Sequence, residues 1–181
     1  AFATRGRIMG LNTGLILQTK TPNQLLGVIA HEAGHIKNRH TLRDGAQNAG
    51  MQPMIMTMAL GALAAIAGAP DAGAALLASS QYFGTLGALR YMQSQEGEAD
   101  ITGARALERA GQDLEAMELY AESAALGHPV AMVNYGGMLG KRGDAAAEFS
   151  HYKKAAELGD MLGAYNLAVA YRDGIGTEVN G

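Results

Sequence analysis

Between Gly45 and Leu89 the chain carries a single charged residue, Asp71, in the run "GAQNAGMQPMIMTMALGALAAIAGAPDAGAALLASSQYFGTLGAL". A run this long and this apolar has to be packed against protein or placed against lipid, because apolar area left in water costs free energy in proportion to its size. Pro70 and Asp71 divide it, and proline is disfavoured inside a helix. Each half falls short of, or barely reaches, the roughly 20 apolar residues of a spanning helix, and both halves favour Ala and Gly over Leu, Ile and Phe. The run therefore reads as an apolar helical hairpin, buried or leaning on a membrane, rather than as two transmembrane spans.

The remaining sequence can supply a core of its own. Of 181 residues 48% are hydrophobic, enough for one domain or two small ones. Net charge is −3 with no basic block, so nothing predicts nucleic-acid binding. Charge is divided unevenly: residues 1–112 hold nine Lys/Arg against seven Asp/Glu, whereas residues 113–181 hold five against ten. This asymmetry predicts two units. The absence of cysteine excludes disulfides, thiolate metal ligands and a cysteine nucleophile. The opening "AFATRGRIMG" has no signal-peptide pattern and the last helix-like segment runs close to the end, so the chain is expected to be part of a longer protein.

Local patterns place the other elements. "RIMGLNTGLILQT" lacks a helical period and predicts a strand over Ile8–Leu17 with a turn near Asn12–Gly14. "TPNQLLGVIAHEAGHIKNRHTL" opens with Thr21 as a cap, Pro22 at the first helical position and Gln24 completing a capping box; Leu25, Val28, Ile29 and Ile36 form its apolar stripe. "TLGALRYMQSQEGEADITGARALERAG" predicts one long helix ending at Gly111. Beyond it "YAESAALGHPVAMVNYGGML" aligns with "YKKAAELGDMLGAYNLAVAY" at a period of 32, pairing Tyr120 with Tyr152 and Gly127 with Gly159, a helix-turn-helix repeat.

The chemistry is concentrated in two short segments. On a helix His31 and His35 lie about 40° apart and can share one metal ion, while Glu32, about 100° away, can reach a water beside it without being a ligand. Neutral imidazoles without sulfur suit zinc. A chance H-E-x-x-H is expected in roughly one such chain in a hundred, so the motif counts only with a matching third ligand. His40, nine residues after His31, falls about 180° away on a continuous helix and is read as a helix-end histidine favouring the dipole. "QEGEAD" offers Glu96, Glu98 and Asp100; Glu96 and Asp100 share a face, and Glu98 points roughly 200° from Glu96. That pair fits a ligand, Glu96, and a carboxylate, Asp100, that accepts the free N–H of a histidine ligand. Gly34 inside a helix costs about 1 kcal/mol relative to Ala, which predicts a close backbone approach there. His128 and His151 are read as repeat residues, at a turn and on an exposed helix.

"AFA" followed by "TGLI", "GVIAHEAGHIKNRH", the apolar hairpin and "LRYMQSQEGEADITGARALERAG" together resemble the zinc peptidases of the HtpX and CAAX-prenyl-protease type, especially the periplasmic BepA-like branch. The resemblance covers about residues 1–117. It implies a mainly α (α+β) fold: a zincin-type core with a small edge β-element and an apolar helical hairpin, followed by α-α repeats. It also implies one Zn2+ held by His31, His35 and Glu96, with Glu32 as general base and Asp100 behind the metal. The expected function is zinc-dependent hydrolysis of polypeptide substrates in bacterial envelope or membrane quality control, in the periplasm or against the membrane. The strand before the helix could hold an extended substrate by strand addition. Members of this type usually carry further helices that bring a His or Arg near the metal, whereas here the repeats follow. Residues 113–181, through "KKAAELGDMLGAYNLAVAYRDGIG", resemble Sel-one-like units of the tetratricopeptide type, which offer a surface for a protein partner. The competing expectation is an adaptor in which a degenerate peptidase scaffold carries binding repeats.

Overall fold

A computed structural model describes residues 1–4, 8–40 and 44–177. The fold is mainly helical. Two short strands, β1 (Phe2–Thr4) and β2 (Ile8–Gly10), pair antiparallel with Ala3 opposite Met9. The strand expected over Ile8–Leu17 stops at Gly10, because Thr13–Gln18 forms the short helix α1, whose first turn closes through Leu15 N–H to the Asn12 carbonyl at 3.0 Å. Six residues make under two turns, too few for a 3.6-residue period to be read, so the apolar "LIL" looks like a strand.

Helix α2 (Pro22–Asn38) begins as its capping residues dictate: the Thr21 hydroxyl accepts from Gln24 N–H at 3.3 Å, and the Gln24 side chain accepts from Lys20 N–H at 2.8 Å. It ends where Arg39 turns left-handed at φ 59°, and the His40 N–H returns to the His35 carbonyl at 3.0 Å. Helices α3 (Asp44–Ile66) and α4 (Pro70–Arg109) follow, the second starting at Pro70 and so extending the helix expected from Thr85 upstream by four turns. Gly111 follows α4 at φ 74°, as its capping role requires.

The molecule divides into two compact units, Leu42–Gln95 and Ala1–Thr41 with Glu96–Gly181. The first is the hairpin formed by α3 and the opening part of α4. Its helices meet backbone to backbone: a Cβ added at Gly61 would come within 2.9 Å of the Gly73 carbonyl, and one at Gly50 within 2.6 Å of the Gly84 carbonyl. Packing this close leaves the larger side chains outside. Met56, Leu63, Ile66 and Tyr82 are each more than 60% exposed. Gly45–Ile66 is long and apolar enough to cross a membrane by length and composition.

The second unit holds β1, β2, α1, α2, the end of α4, and the helices α5 (Asp113–Ala125), α6 (Pro129–Lys141), α7 (Ala145–Glu157) and α8 (Met161–Asp173). Each of the last four has 13 residues, and their starts repeat every 16. Glycines 111, 127, 143 and 159 mark the same interval at φ between 74° and 91°, where a side chain would be strained. The 32-residue sequence repeat is thus two nearly equal halves, each closed by a left-handed glycine. Compactness does not break at residue 112: α5 packs on α2, and the buried cluster runs from Ala30 through Ile101, Ala104 and Leu107 to Tyr120, Val133 and Tyr152. His151 is not on an open face, since its Nδ1 is buried without a partner among the described residues and its ring stands edge-on to Tyr135 at 5.0 Å. These helices pack on one another there, so residues that a single helix pattern assigns to solvent fall into the seam between α6 and α7.

Candidate metal centre

Small residues bring α2 and the end of α4 together. A Cβ on Gly34 would overlap the Ala99 carbonyl, and one on Gly103 would lie 2.7 Å from the Ala30 carbonyl. Ala99 is fully buried and Ala30 nearly so. The cost of Gly34 in mid-helix is thereby explained, because the two backbones touch at that point. The Asn38 amide fastens the end of α2 to α4, donating to the Glu98 carbonyl at 3.1 Å and to the Thr102 hydroxyl at 3.0 Å.

This crossing sets the polar groups face to face. His31 Nε2 and His35 Nε2 lie 3.0 Å apart, and Glu96 Oε2 is 3.4 Å from each. Among the described residues these three make up the group whose donor atoms converge closely enough for one metal ion. Donor atoms in a tetrahedral site with bonds of about 2.0–2.2 Å are roughly 3.3–3.6 Å apart, which the triangle approaches without rearrangement. Asp100, 3% exposed, accepts from His31 Nδ1 at 2.5 Å. That bond fixes the His31 proton on Nδ1 and leaves the Nε2 lone pair facing the triangle. Two imidazole nitrogens and a carboxylate oxygen, all acceptors once His31 is so oriented, converge with no hydrogen to share between them except by protonation. The donor set fits zinc.

The electrostatics agree with this division of labour. The Asp100 hydrogen bond is the main cause that raises the His31 pKa, against desolvation by burial, with Asp100, Glu96 and Glu32 adding negative charge. Burial lowers the pKa of His35, helped by positive charge on His31 and His40 and opposed by Glu96 and Glu32. Glu32, partly exposed between the two histidines on α2, is close enough for its charge to act on both.

His40 is where helix geometry misleads. It does not continue α2 to the far side, because the left-handed Arg39 turns the chain back and sets His40 Nδ1 3.3 Å from His35 Nδ1. Its side chain is 6% exposed, and its Nε2 pairs with Glu98 Oε2 at 3.2 Å. Glu98, which points away from Glu96 on the helical wheel, thus meets the site through His40. The "NRH" ending, with αL-prone residues after the last apolar position, is the only sequence signal that could have revealed this.

A His-Glu-x-x-His helix joined by a carboxylate from a second helix is the arrangement of a metallopeptidase. The family model described as "Peptidase family M48" matches residues 1–151, and the chain belongs to that family. The putative beta-barrel assembly-enhancing protease of Vibrio cholerae is 34% identical over 117 residues, covering 65% of this chain and 24% of that protein. The beta-barrel assembly-enhancing proteases of Escherichia coli and Yersinia pestis are 32% and 30% identical, covering 67% and 69% of this chain and 25% and 26% of theirs. The chain spans about a quarter of the length of the relatives it matches. No solved structure matches it significantly.

Proposed function

We propose that the chain is a zinc-dependent endopeptidase acting on polypeptides in bacterial envelope protein quality control, with His31, His35 and Glu96 as the metal ligands. The observation that carries this reading is the triangle of three acceptor atoms 3.0–3.4 Å apart, held by carboxylate and histidine partners behind it. Zinc bound there would polarise the scissile carbonyl and bring the pKa of a water down to about 7. Glu32 would be the base that accepts a proton from the attacking water and returns it to the leaving amine. Asp100 holds the His31 ring by its Nδ1 proton, and the Glu98–His40 pair does the same for His35. Removing either support should weaken zinc binding roughly ten- to a hundredfold. For His40→Ala this is measured by competition with a chromophoric chelator; an unchanged affinity would make His40 a packing residue only.

Residues 113–181 form, in this reading, Sel-one-like repeats that recruit a protein partner, beside a peptidase segment over 1–112. The hairpin over 45–89 contacts the membrane through its exposed apolar side chains, which suits the periplasm or its membrane boundary. The adaptor alternative is not favoured, since a degenerate scaffold has no reason to keep His31 and His35, the carboxylates Glu96, Glu98 and Asp100, and the buried third histidine His40 in register. The test is cleavage of an unfolded polypeptide by the purified chain before and after chelation. Activity should fall to background on removal of the metal and return on addition of about one equivalent of zinc. Cleavage that persists after complete metal removal would contradict the reading.

A further inference from the structure

A cavity of about 300 Å³ adjoins the proposed metal centre inside the same unit, lined by Gln24, Gly27, Val28 and His31 of α2 and by Glu115, Glu118, Leu119 and Glu122 of α5. The three glutamates are spaced three and four residues apart, so one face of α5 turns three carboxylates toward the helix that carries the histidines. Among the described residues no Lys or Arg lines the cavity. Glu118 and Glu122 are exposed, but Glu115 is 93% buried and has no hydrogen-bond or ion-pair partner among the described residues. Glu115 lines the cavity with no cation of the described residues beside it, so a basic side chain brought there would meet negative charge that is not already paired. Glu122 belongs to the same electrostatic field as the metal site: desolvation raises its pKa, the Asp100 charge adds to this, and His31 acts against it.

The kind of cation follows from the spacing. Among the described residues the three glutamates do not bring their oxygens within the range of a shared metal ion, whereas His31, His35 and Glu96 do. Carboxylates spread along two turns of a helix suit an extended organic cation, whose stem can lie on Val28 and Leu119 while its head meets the acids. His31 lines both this cavity and the triangle, so a side chain entering here belongs to a residue at or next to the scissile bond.

We infer that the cavity between α2 and α5 is a substrate subsite for a lysine or arginine side chain, with Glu115, Glu118 and Glu122 as its specificity-determining residues. The inference rests on the peptidase reading and assigns that site its substrate class: polypeptide segments with a basic residue within two positions of the cleaved bond. Its occupant enters from outside the chain, since no cation of the described residues reaches it.

Two measurements test it and separate its failure from that of the peptidase reading. First, cleavage sites in a denatured-protein library should carry Lys or Arg at one fixed position, and norleucine there should lower kcat/KM roughly ten- to a hundredfold. In Glu118→Gln/Glu122→Gln, both exposed positions that fold need not depend on, the preference should shrink, and adding Glu115→Gln should abolish it. Second, binding of a lysine peptide and its norleucine counterpart to zinc-loaded Glu32→Gln should differ by a similar factor, and that difference should vanish in the glutamine variants. The binding comparison stands even if nothing is cleaved, in which case the peptidase reading fails alone. Equal binding of the two peptides, or a basic preference that survives all three substitutions, would overturn the inference.

Discussion

Glu32→Gln is expected to keep its metal and lose at least about a hundredfold of peptidase activity, the lower end of what a positioned general base contributes. The substitution preserves shape and leaves His31, His35 and Glu96 untouched, so fold and zinc content should match the parent chain. What it removes is the one carboxylate that lies between the two histidines on α2 without being held by any hydrogen bond among the described residues. Asp100 cannot replace it, being buried and committed to His31, and Glu98 is engaged by His40. Activity within a few fold of the parent, assayed at equal zinc content, would remove Glu32 from the chemistry.

Gly34→Val is expected to abolish zinc binding from a position that bears no ligand. The added side chain meets the Ala99 carbonyl and backbone, which cannot swing aside as the end of a flexible side chain can. Overpacking of this kind costs typically 1–3 kcal/mol, and relief comes only by moving α4 away from α2. Glu96 and Asp100 flank Ala99 on α4, so they move with it and the acceptor triangle opens. Gly27→Ala provides the contrast on the same helix, because a Cβ there meets nothing within 4 Å; it should stabilise by about 0.5–1 kcal/mol through helix propensity. Thermal unfolding with and without zinc reads both variants. A Gly34→Val protein whose melting temperature still rises with zinc would show that the contact does not position the site.

The residues of the candidate site are legible because helix periodicity fixes directions before any fold is known. His31 with His35, and Glu96 with Asp100, share faces at four-residue spacing, and capping residues Thr21 and Pro22 mark where the first helix starts. Two features escaped for the same physical reason: they depend on where a helix stops. His40 is remote on a wheel that continues α2 through it, whereas a single left-handed residue at Arg39 reverses its direction. Thr13–Gln18 looked like a strand because one and a half turns carry no period. The hairpin is legible in its missing charges, yet its packing is not, since Ala and Gly leave it open whether the two helices turn their large side chains toward each other or, as here, meet through glycine and turn them out. The division of the chain by charge at residue 112 follows composition, while compactness follows contact, and α5 sits on α2. That contact creates the acidic cavity, which no local pattern announces because its two walls lie more than 80 residues apart.

The most direct test of the central claim is X-ray absorption at the zinc edge on the purified chain together with its metal stoichiometry. The account predicts about one zinc per chain, bound only by nitrogen and oxygen at roughly 2.0–2.2 Å with two imidazoles in the shell, and loss of that signal in His35→Ala. A helical, folded protein that takes up no zinc, or one whose zinc shell contains no histidine, would contradict it.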